Sequence, residues 1–426
     1  DNFIDQVFVR TSIDIEVIEG AEENRLELIA VESALEGRFD FEKKTCLILE
    51  VGTGSTELVV MNKGQVVLTR TLLMGPLRLP EQVMIGKTDN AAIQRLLKRR
   101  VHDIAGEIGR EVPMNEVDTV IALGGSMRFL TKQIQEKQEQ ETLAILSAKD
   151  LAEFIKPLAK LSTEEVSDKY GMPYSDAETW YASLVLYAHF VSETKSEQIV
   201  VPMTSIRDAL ILEMAQLVSG NRRTDLSRQV LHSAKTLAKK YKYDETHAGA
   251  VAHMSVKLFD LLKEEHGLGP RERLLLEISA ILHDIGSFIS PSSHHKHSSY
   301  LINASEIFGL RKADKDIVSN VVRYHRRSTP KMTHVAYVSL PRQDRAVVSK
   351  LAAILRVAES LDASHQQKCR DFTLEREDDV YTLWVPESVG DISLERQSLA
   401  RKADMFLDVI GASVALRQGS PSPART

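Results

Sequence analysis

Cysteine is nearly missing from this 426-residue chain. Cys46 and Cys369 are its only two, too few and too far apart in sequence for a disulfide framework or a clustered zinc spacing. That favours a reducing compartment, with the cytoplasm as the expected location. No apolar run approaches the roughly 20 residues a membrane-spanning helix needs, and the opening "DNFIDQVFVR" lacks a charged-then-apolar leader pattern. Neither a membrane span nor export is expected. Basic excess is missing as well. The formal net charge is −6, which argues against a general nucleic-acid coat, because a phosphate backbone needs a basic face. There is no internal repeat and no initiating methionine. The chain opens on Asp1 and enters a helix-like segment at once, so we expect a piece of a longer protein.

What is present is 43% hydrophobic and 27% charged residues, a globular composition whose length suits two or three domains. Residues 14–18, "DIEVI", alternate like a short strand, and Gly20 introduces a helical pattern from about Glu22 to Leu35. Strands are predicted at 46–51, 56–61 and 66–71, the last two joined by the hairpin signal "NKGQ". "NAAIQRLLKRRVHDIAGEIG" places Ile93, Leu96, Leu97, Val101, Ile104 and Ile108 on one helical face, and "VDTVIAL" reads as a buried strand ending at "GGS". Helices at 149–161, 177–193 and 207–218 follow, with a strand at "EQIVVP". The polar stretch "SGNRRTDLSRQ", residues 219–229, marks a domain boundary, which separates residues 1–218 from a helical domain over 225–368. That domain's periodicity gives helices at 226–241, 246–265, 270–284, 296–306, 313–325 and 343–363, a bundle-like series. Residues 371–418 read as a small α+β subdomain of a hairpin, a helix and a final strand, and 419–426 as a disordered tail.

The run "LILEVGTGSTELVV", residues 47–60, reaches an acid, passes through two glycines and a serine, and resumes as an apolar strand. Phosphate oxygens need several inward-pointing N–H groups, which a loop of Gly52, Thr53, Gly54 and Ser55 can supply. Glu50 and Glu57 flank the loop. Carboxylates beside a phosphate repel it unless a divalent cation lies between, so magnesium is the economical reading. A tight hairpin turn with exposed acids would have the same sequence. "ALGGSMRFL" repeats the strand-to-glycine transition: Gly124, Gly125 and Ser126 end a strand and open a helix whose first amides can hold an anion. In "VIEGAEENRLELI", Glu22 and Glu23 occupy a first helical turn, where acids ordinarily serve the helix dipole. The functional reading has one of them orient or deprotonate a water that attacks phosphorus.

In the helical region, "LLLEISAILHDIG" ends on His283 and Asp284, and six of the 13 histidines fall within 283–334. His247 upstream and Asp362 downstream complete a candidate metal set, with His294, His295, His297 and His325 also available. A hydrogen-bonded polar network between helices competes with that reading. "VVRYHRRSTPK" crowds Arg323, Arg326, Arg327 and Lys331 around His325, either as a solvated helix end or as a patch for a polyanion.

These stretches together resemble the exopolyphosphatase and guanosine-pentaphosphate phosphatase family. "VIEGAEENRL" is similar to its catalytic-glutamate helix, "LEVGTGSTELVV" to its second phosphate loop, and "ALGGSMRFL" to its glycine-rich loop. "VPMTSIRDALIL" is similar to its late motif, and "LHDIGSFISPSSHHKHSSYLI" with "VVRYHRRS" to its helical C-terminal region of HD type. The resemblance implies an actin-like, ribonuclease-H-like α/β fold for residues 1–218 and an all-α HD-type domain after it. It also implies Mg²⁺-dependent hydrolysis of terminal phosphoanhydride bonds in polyphosphate or guanosine pentaphosphate. Carried over by motif, Glu23 is the water-activating base with Glu22 its lesser neighbour, Glu50 and Glu57 sit at the metal, and residues 52–55 hold the phosphate. Arg323, His325 and Arg326 line a passage for the rest of the polyanion, and the helical domain serves as channel and homodimer surface. A second divalent metal in that domain would use His247, His283, Asp284 and either Glu359 or Asp362.

Three departures stand against the family pattern. Glu50 replaces the usual Asp, Thr53 a usual glycine, and the first lobe with its own phosphate loop is absent, so the isolated chain is expected to hydrolyse little. The competing expectation is a module that holds polyphosphate or a guanosine tetraphosphate without cleaving it. A weaker one assigns the chemistry to the helical domain's metal.

Overall fold

The computed structural model describes residues 2–15, 17–18, 20–77, 90–110, 112–134, 142–219 and 226–420. The chain divides into two compact units, Asp1–Gln229 and Val230–Thr426. Among the described residues no helix is long and apolar enough to cross a membrane.

The first unit opens with α1 (Asn2–Thr11), which buries none of its residues, and α2 (Gly20–Ala34). The strand expected at 14–18 does not form at its described positions, where Val17 is 72% exposed; Glu16 lies outside the described residues. Alternation without a neighbouring strand has nothing to pair with. Next come β1 (Thr45–Val51), β2 (Thr56–Asn62), β3 (Gln65–Leu72) and α3 (Asn90–Ile108). They are followed by β4 (Thr119–Leu123), α4 (Gly125–Ile134), β5 (Leu143–Ser147), α5 (Ala148–Leu158), α6 (Thr163–Tyr170) and α7 (Tyr174–Ser192). β6 (Gln198–Pro202) and α8 (Ile206–Ser219) complete the unit. The strands form one mixed sheet in the order β3-β2-β1-β4-β6-β5, parallel at β1/β4 and β4/β6.

The two-residue period of the strands decides which side chains meet the chemistry. Leu47, Leu49, Val51, Leu58, Val60, Val120 and Ala122 share one core with α7 residues such as Leu184 and Tyr187. The alternate positions, Ile48, Glu50, Glu57, Val59 and Ile121, therefore face the other way, and α2 packs on that side against β2 and β3. α2 is held there by Leu26, Ile29 and Ala30 against Ala209 of α8.

The second unit is helical: α9 (Ser227–Lys240), α10 (Glu245–Leu261), α11 (Pro270–Leu282), α12 (His294–Asn303), α13 (Lys312–Arg323) and α14 (Arg342–Ser360). α14 is its centre, apolar on nearly every side, with Leu351 through Leu355 all fully buried. Its C-terminal part adds β7 (Thr373–Glu377), β8 (Val380–Val385), α15 (Ser393–Lys402), α16 (Asp404–Ile410) and β9 (Ser413–Gln418). β9 returns parallel to β8. Tyr381, Leu383, Phe406 and Leu416 belong to the same core as the helices, so the segment expected as a subdomain of its own shares that core. Residues 421–426 of the expected tail lie outside the described residues, while Gly419 directly follows β9 and its N–H donates to Val385 O at 2.9 Å.

Candidate functional site

β1 and β2 pair so that Glu50 and Glu57 stand directly opposite each other, on the face turned to α2. Glu23 and Glu27 lie one helical turn apart on α2, and carboxylate oxygens of Glu23, Glu27 and Glu57 all come within 4.8 Å of one another. Like charges placed across a strand pair or one turn apart are mutually unfavourable. The carboxyl groups respond accordingly. Burial raises Glu23, and burial together with Glu50, Glu57 and Glu23 raises Glu27 well above the usual carboxylate range. Burial raises Glu50 too, with Arg128 opposing, and pushes Glu57 up to about 7 against the pull of the Ser55 hydroxyl. Both Glu27 oxygens and Oε1 of Glu57 are buried with no hydrogen-bond donor. Buried acceptors without donors are costly, and a cation among them removes the cost.

Glu22 is not among these four. Its carboxylate takes Arg25 Nε at 2.7 Å, and Arg25 also reaches Glu213 of α8 at 2.5 Å. Glu22 thus fastens α2 to α8, and Glu23, the next residue around the helix, is the one turned to the sheet.

The turn between β1 and β2 closes with Gly52 N donating to Ser55 O at 2.9 Å. Among the described residues, the amides of Thr53 and Gly54 donate to no acceptor. Neither glycine of the turn adopts a left-handed φ, and nor does Thr53, so the threonine costs nothing in backbone geometry. What glycine supplies here is close approach. Gly75 passes so near the turn that a Cβ on it would lie 2.5 Å from Thr53 O and from the Gly54 carbonyl carbon. Leu77 N donates to Thr53 O at 3.0 Å and Thr56 Oγ1 to Met74 O at 2.5 Å, so residues 74–77 clasp the turn.

The second loop is beside the first. Gly124 has φ +93°, and a Cβ there would sit 3.6 Å from Glu50 Oε1 and 3.0 Å from Tyr187 Oη. Gly125 and Ser126 begin α4, whose first-turn amides have no intrahelical acceptor. Tyr187 Oη accepts from Val51 N at 2.8 Å and donates to Leu123 O at 2.5 Å, tying the ends of β1 and β4 where both loops start. Arg128 donates to Thr204 O at 2.5 Å and lies near enough to Glu50 to oppose the rise of its carboxyl. Glu27, Gly75, Arg128 and Tyr187 were not singled out from the sequence. Glu27 had a signal, an acid four residues after Glu23 between two leucines; Tyr187 had none, being one tyrosine in an apolar helix.

In the second unit, His247, His283 and Asp284 bring ligand atoms within 4.8 Å, and so do Asp284, His294 and His325. Asp362 joins through His247, whose Nδ1 lies 2.7 Å from its Oδ2. Glu359 instead pairs with Lys402. Burial pushes His283 down to about 4 and His325 well below the usual histidine range. His325 is fully buried, so it does not stand with Arg323 and Arg326 on a surface; those two and Arg327 gather by His295.

Sequence models place the chain among known proteins: that of the Ppx/GppA phosphatase family matches residues 1–217, and that of Ppx/GppA phosphatase domain III matches 230–403. The chain belongs to the Ppx/GppA phosphatase family. It is 23% identical over 94% of its length to a guanosine-5'-triphosphate,3'-diphosphate pyrophosphatase of Aeromonas hydrophila, spanning 78% of that relative. A protein of the same name from Photobacterium profundum is 29% identical over 36% of the chain and 28% of its own length. Among solved structures of the family, an exopolyphosphatase from Cytophaga hutchinsonii is 19% identical, with TM-score 0.45 over 52% of this chain and 70% of that one. The Aquifex aeolicus family member is 18% identical, with TM-score 0.42 over 52% of this chain and 70% of that one.

Proposed function

We propose that the chain hydrolyses terminal phosphoanhydride bonds, in polyphosphate or in guanosine pentaphosphate, at the cleft of the first unit. The observation that carries this reading is the convergence of Glu23, Glu27, Glu50 and Glu57 beside two amide-bearing loops. Acids alone repel a phosphate and amides alone only bind one; together they suit a phosphoryl group with a cation between. The donor set fits magnesium, since it is all carboxylate oxygen and includes buried oxygens with no donor. Glu27, Glu50 and Glu57 would hold the ion, which when bound withdraws charge from the phosphoryl oxygens.

The chain's own groups do the rest. The amides of Thr53 and Gly54, with those opening α4, hold the terminal phosphate oxygens. Burial raises the Glu23 carboxyl, which strengthens it as an acceptor for the proton of the attacking water. Tyr187 keeps the two loops at a fixed separation by bonding both strand ends.

Phosphate release from long-chain polyphosphate and from guanosine pentaphosphate, with and without Mg²⁺, tests the reading. Magnesium-dependent release, however slow, that Glu23→Gln abolishes without changing the circular dichroism is the expected result. Equal release by both proteins would overturn it. The longer arm of Glu50 favours a second reading, retention without cleavage, which predicts magnesium-dependent polyphosphate binding and no release from either protein.

A further inference from the structure

Among the described residues β9 is an edge of its sheet, whose order is β7-β8-β9, and two bonds set the polarity of its backbone. Ser413 N donates to Asp379 O at 2.8 Å and Gly419 N to Val385 O at 2.9 Å. Successive residues of a strand turn their N–H and C=O to opposite sides, so Ser413, Ala415, Arg417 and Gly419 bond β8. Val414, Leu416 and Gln418 turn theirs away. Among the described residues no acceptor meets those three N–H groups. Native sheets ordinarily blunt such an edge with proline, a bulge or several charges. β9, "SVALRQ", pairs with β8 in unbroken register and carries one charge, Arg417.

A groove of about 730 Å³ runs along this edge, lined by all of residues 414–418 and by Trp384, Arg396, Leu399 and Ala400. Side chains of 414–418 alternate between the two faces of the sheet, so a groove touching all five follows the rim of the strand. Its fixed charges are positive. Arg396 Nε donates to Leu416 O at 3.3 Å, which holds the guanidinium at the rim, and the Arg417 guanidinium stands 5.9 Å from the centre of the Trp384 ring. Among the described residues neither arginine is in an ion pair. Asp391 feels the Arg396 charge, but its oxygens accept from Ser393 N and Oγ at 3.0 and 2.9 Å. Glu375 accepts from Trp384 Nε1 at 2.9 Å.

We propose that this rim takes an extended acidic peptide of another protein, which adds beside β9 as a fourth strand. Its carbonyls accept from the N–H groups of Val414, Leu416 and Gln418, its carboxylates meet Arg396 and Arg417, and its apolar residues lie against Leu399 and Ala400. Backbone pairing selects the extended form, and the two guanidinium groups select acids over bases. A second copy's β9 would bring the same arginines to the rim, like charge against like, so an acidic strand is the fitting occupant. The proposal concerns the second unit alone and holds or fails separately from the reading given for the first unit's cleft.

Fluorescence anisotropy with a labelled peptide of alternating glutamate and valine, together with amide hydrogen exchange of the full chain, tests it. The acidic peptide is expected to bind, and a peptide of alternating lysine and valine is not. Bound peptide should slow exchange at Val414, Leu416 and Gln418, while Ala415 and Arg417, already bonded to β8, change little. That readout needs no variant to fold. Arg417→Glu should weaken binding by about tenfold, and Val414→Pro by a similar factor, because proline deletes one outward N–H and leaves the β8 ladder whole. No binding at about 1 mM peptide, equal binding of the lysine peptide, or binding that leaves exchange at 414, 416 and 418 unchanged would overturn the proposal. So would protection of those amides without peptide that disappears on dilution, the sign of β9 pairing with a second copy.

Discussion

Glu57→Gln should stabilise the first unit when no divalent ion is present, although it removes a charged side chain from the centre of the candidate site. Glu57 is 1% exposed and its carboxyl is pushed from 4.5 to about 7, mainly by burial. Between those values the folded form holds a proton that the unfolded chain has released, so stability falls as pH rises through the window. Above pH 7 the whole cost is present, about 3 kcal/mol at 1.36 kcal/mol per pKa unit. Glutamine has the shape of the protonated acid and does not ionise, so the variant escapes the cost. For a unit of this size that corresponds to a melting temperature higher by roughly 6–12 °C at pH 8. Differential scanning calorimetry in a chelating buffer at pH 4 and pH 8 reads the difference, which should vanish at pH 4. Added Mg²⁺ should raise the parent's transition and leave the variant's nearly unmoved. A variant that melts below its parent at pH 8 without metal, or a difference that persists at pH 4, would refute the account of the cluster.

Other outcomes follow from single contacts. Tyr187→Phe leaves Val51 N–H and Leu123 C=O buried without their partner, at about 1–3 kcal/mol for each orphaned group, measurable as a lower midpoint in urea. Gly75→Ala would force a Cβ to within 2.5 Å of the Gly54 backbone, so the turn must move. Phosphate release should then fall on the order of 100-fold while the helical unit's melting is unchanged. Arg356, 1% exposed, donates to the carbonyls of Lys402, Tyr324 and Arg327 and to Asp404. Arg356→Met leaves the Tyr324, Arg327 and Lys402 carbonyls without their donor while Asp404, 58% exposed, is resolvated, so it should lower the second unit's stability by about 1–3 kcal/mol per carbonyl that stays buried, visible as a shift of its calorimetric transition.

Elements with a strong period were readable before any coordinates. β1 to β3 lie within a residue of their predicted limits: β1 and β2 because apolar strands buried on both faces read as continuous runs, and β3, only partly buried, because the "NKGQ" turn fixes where it starts. α6 was missed although Ser162 and Glu165 form a capping box, because its eight residues bury only Val166 and so carry no apolar stripe. β5, five residues at the sheet edge with Ile145 half exposed, likewise lacks the pattern of a buried strand.

Sites are harder to read than strands because sequence gives spacing along the chain and not the side of an element. The choice between Glu22 and Glu23 turned on Arg25, which reaches Glu22 from within α2 and Glu213 from α8, a contact 188 positions away in sequence. Glu359 and Asp362 are three positions apart, and only the partners distinguish them, Lys402 for one and His247 for the other. His325 looked like part of a basic surface because its neighbours are arginines, yet the carbonyl of Val322 turns its ring inward. In each case a hydrogen-bond partner that residue spacing does not reveal, Arg25, Lys402, His247 or the Val322 carbonyl, claims one of two equivalent acids or orients a ring. The acceptors left over, Glu27 in one unit and His283 Nε2 in the other, are buried without a hydrogen-bond partner, and for Glu27 either a proton or a bound cation offsets that burial.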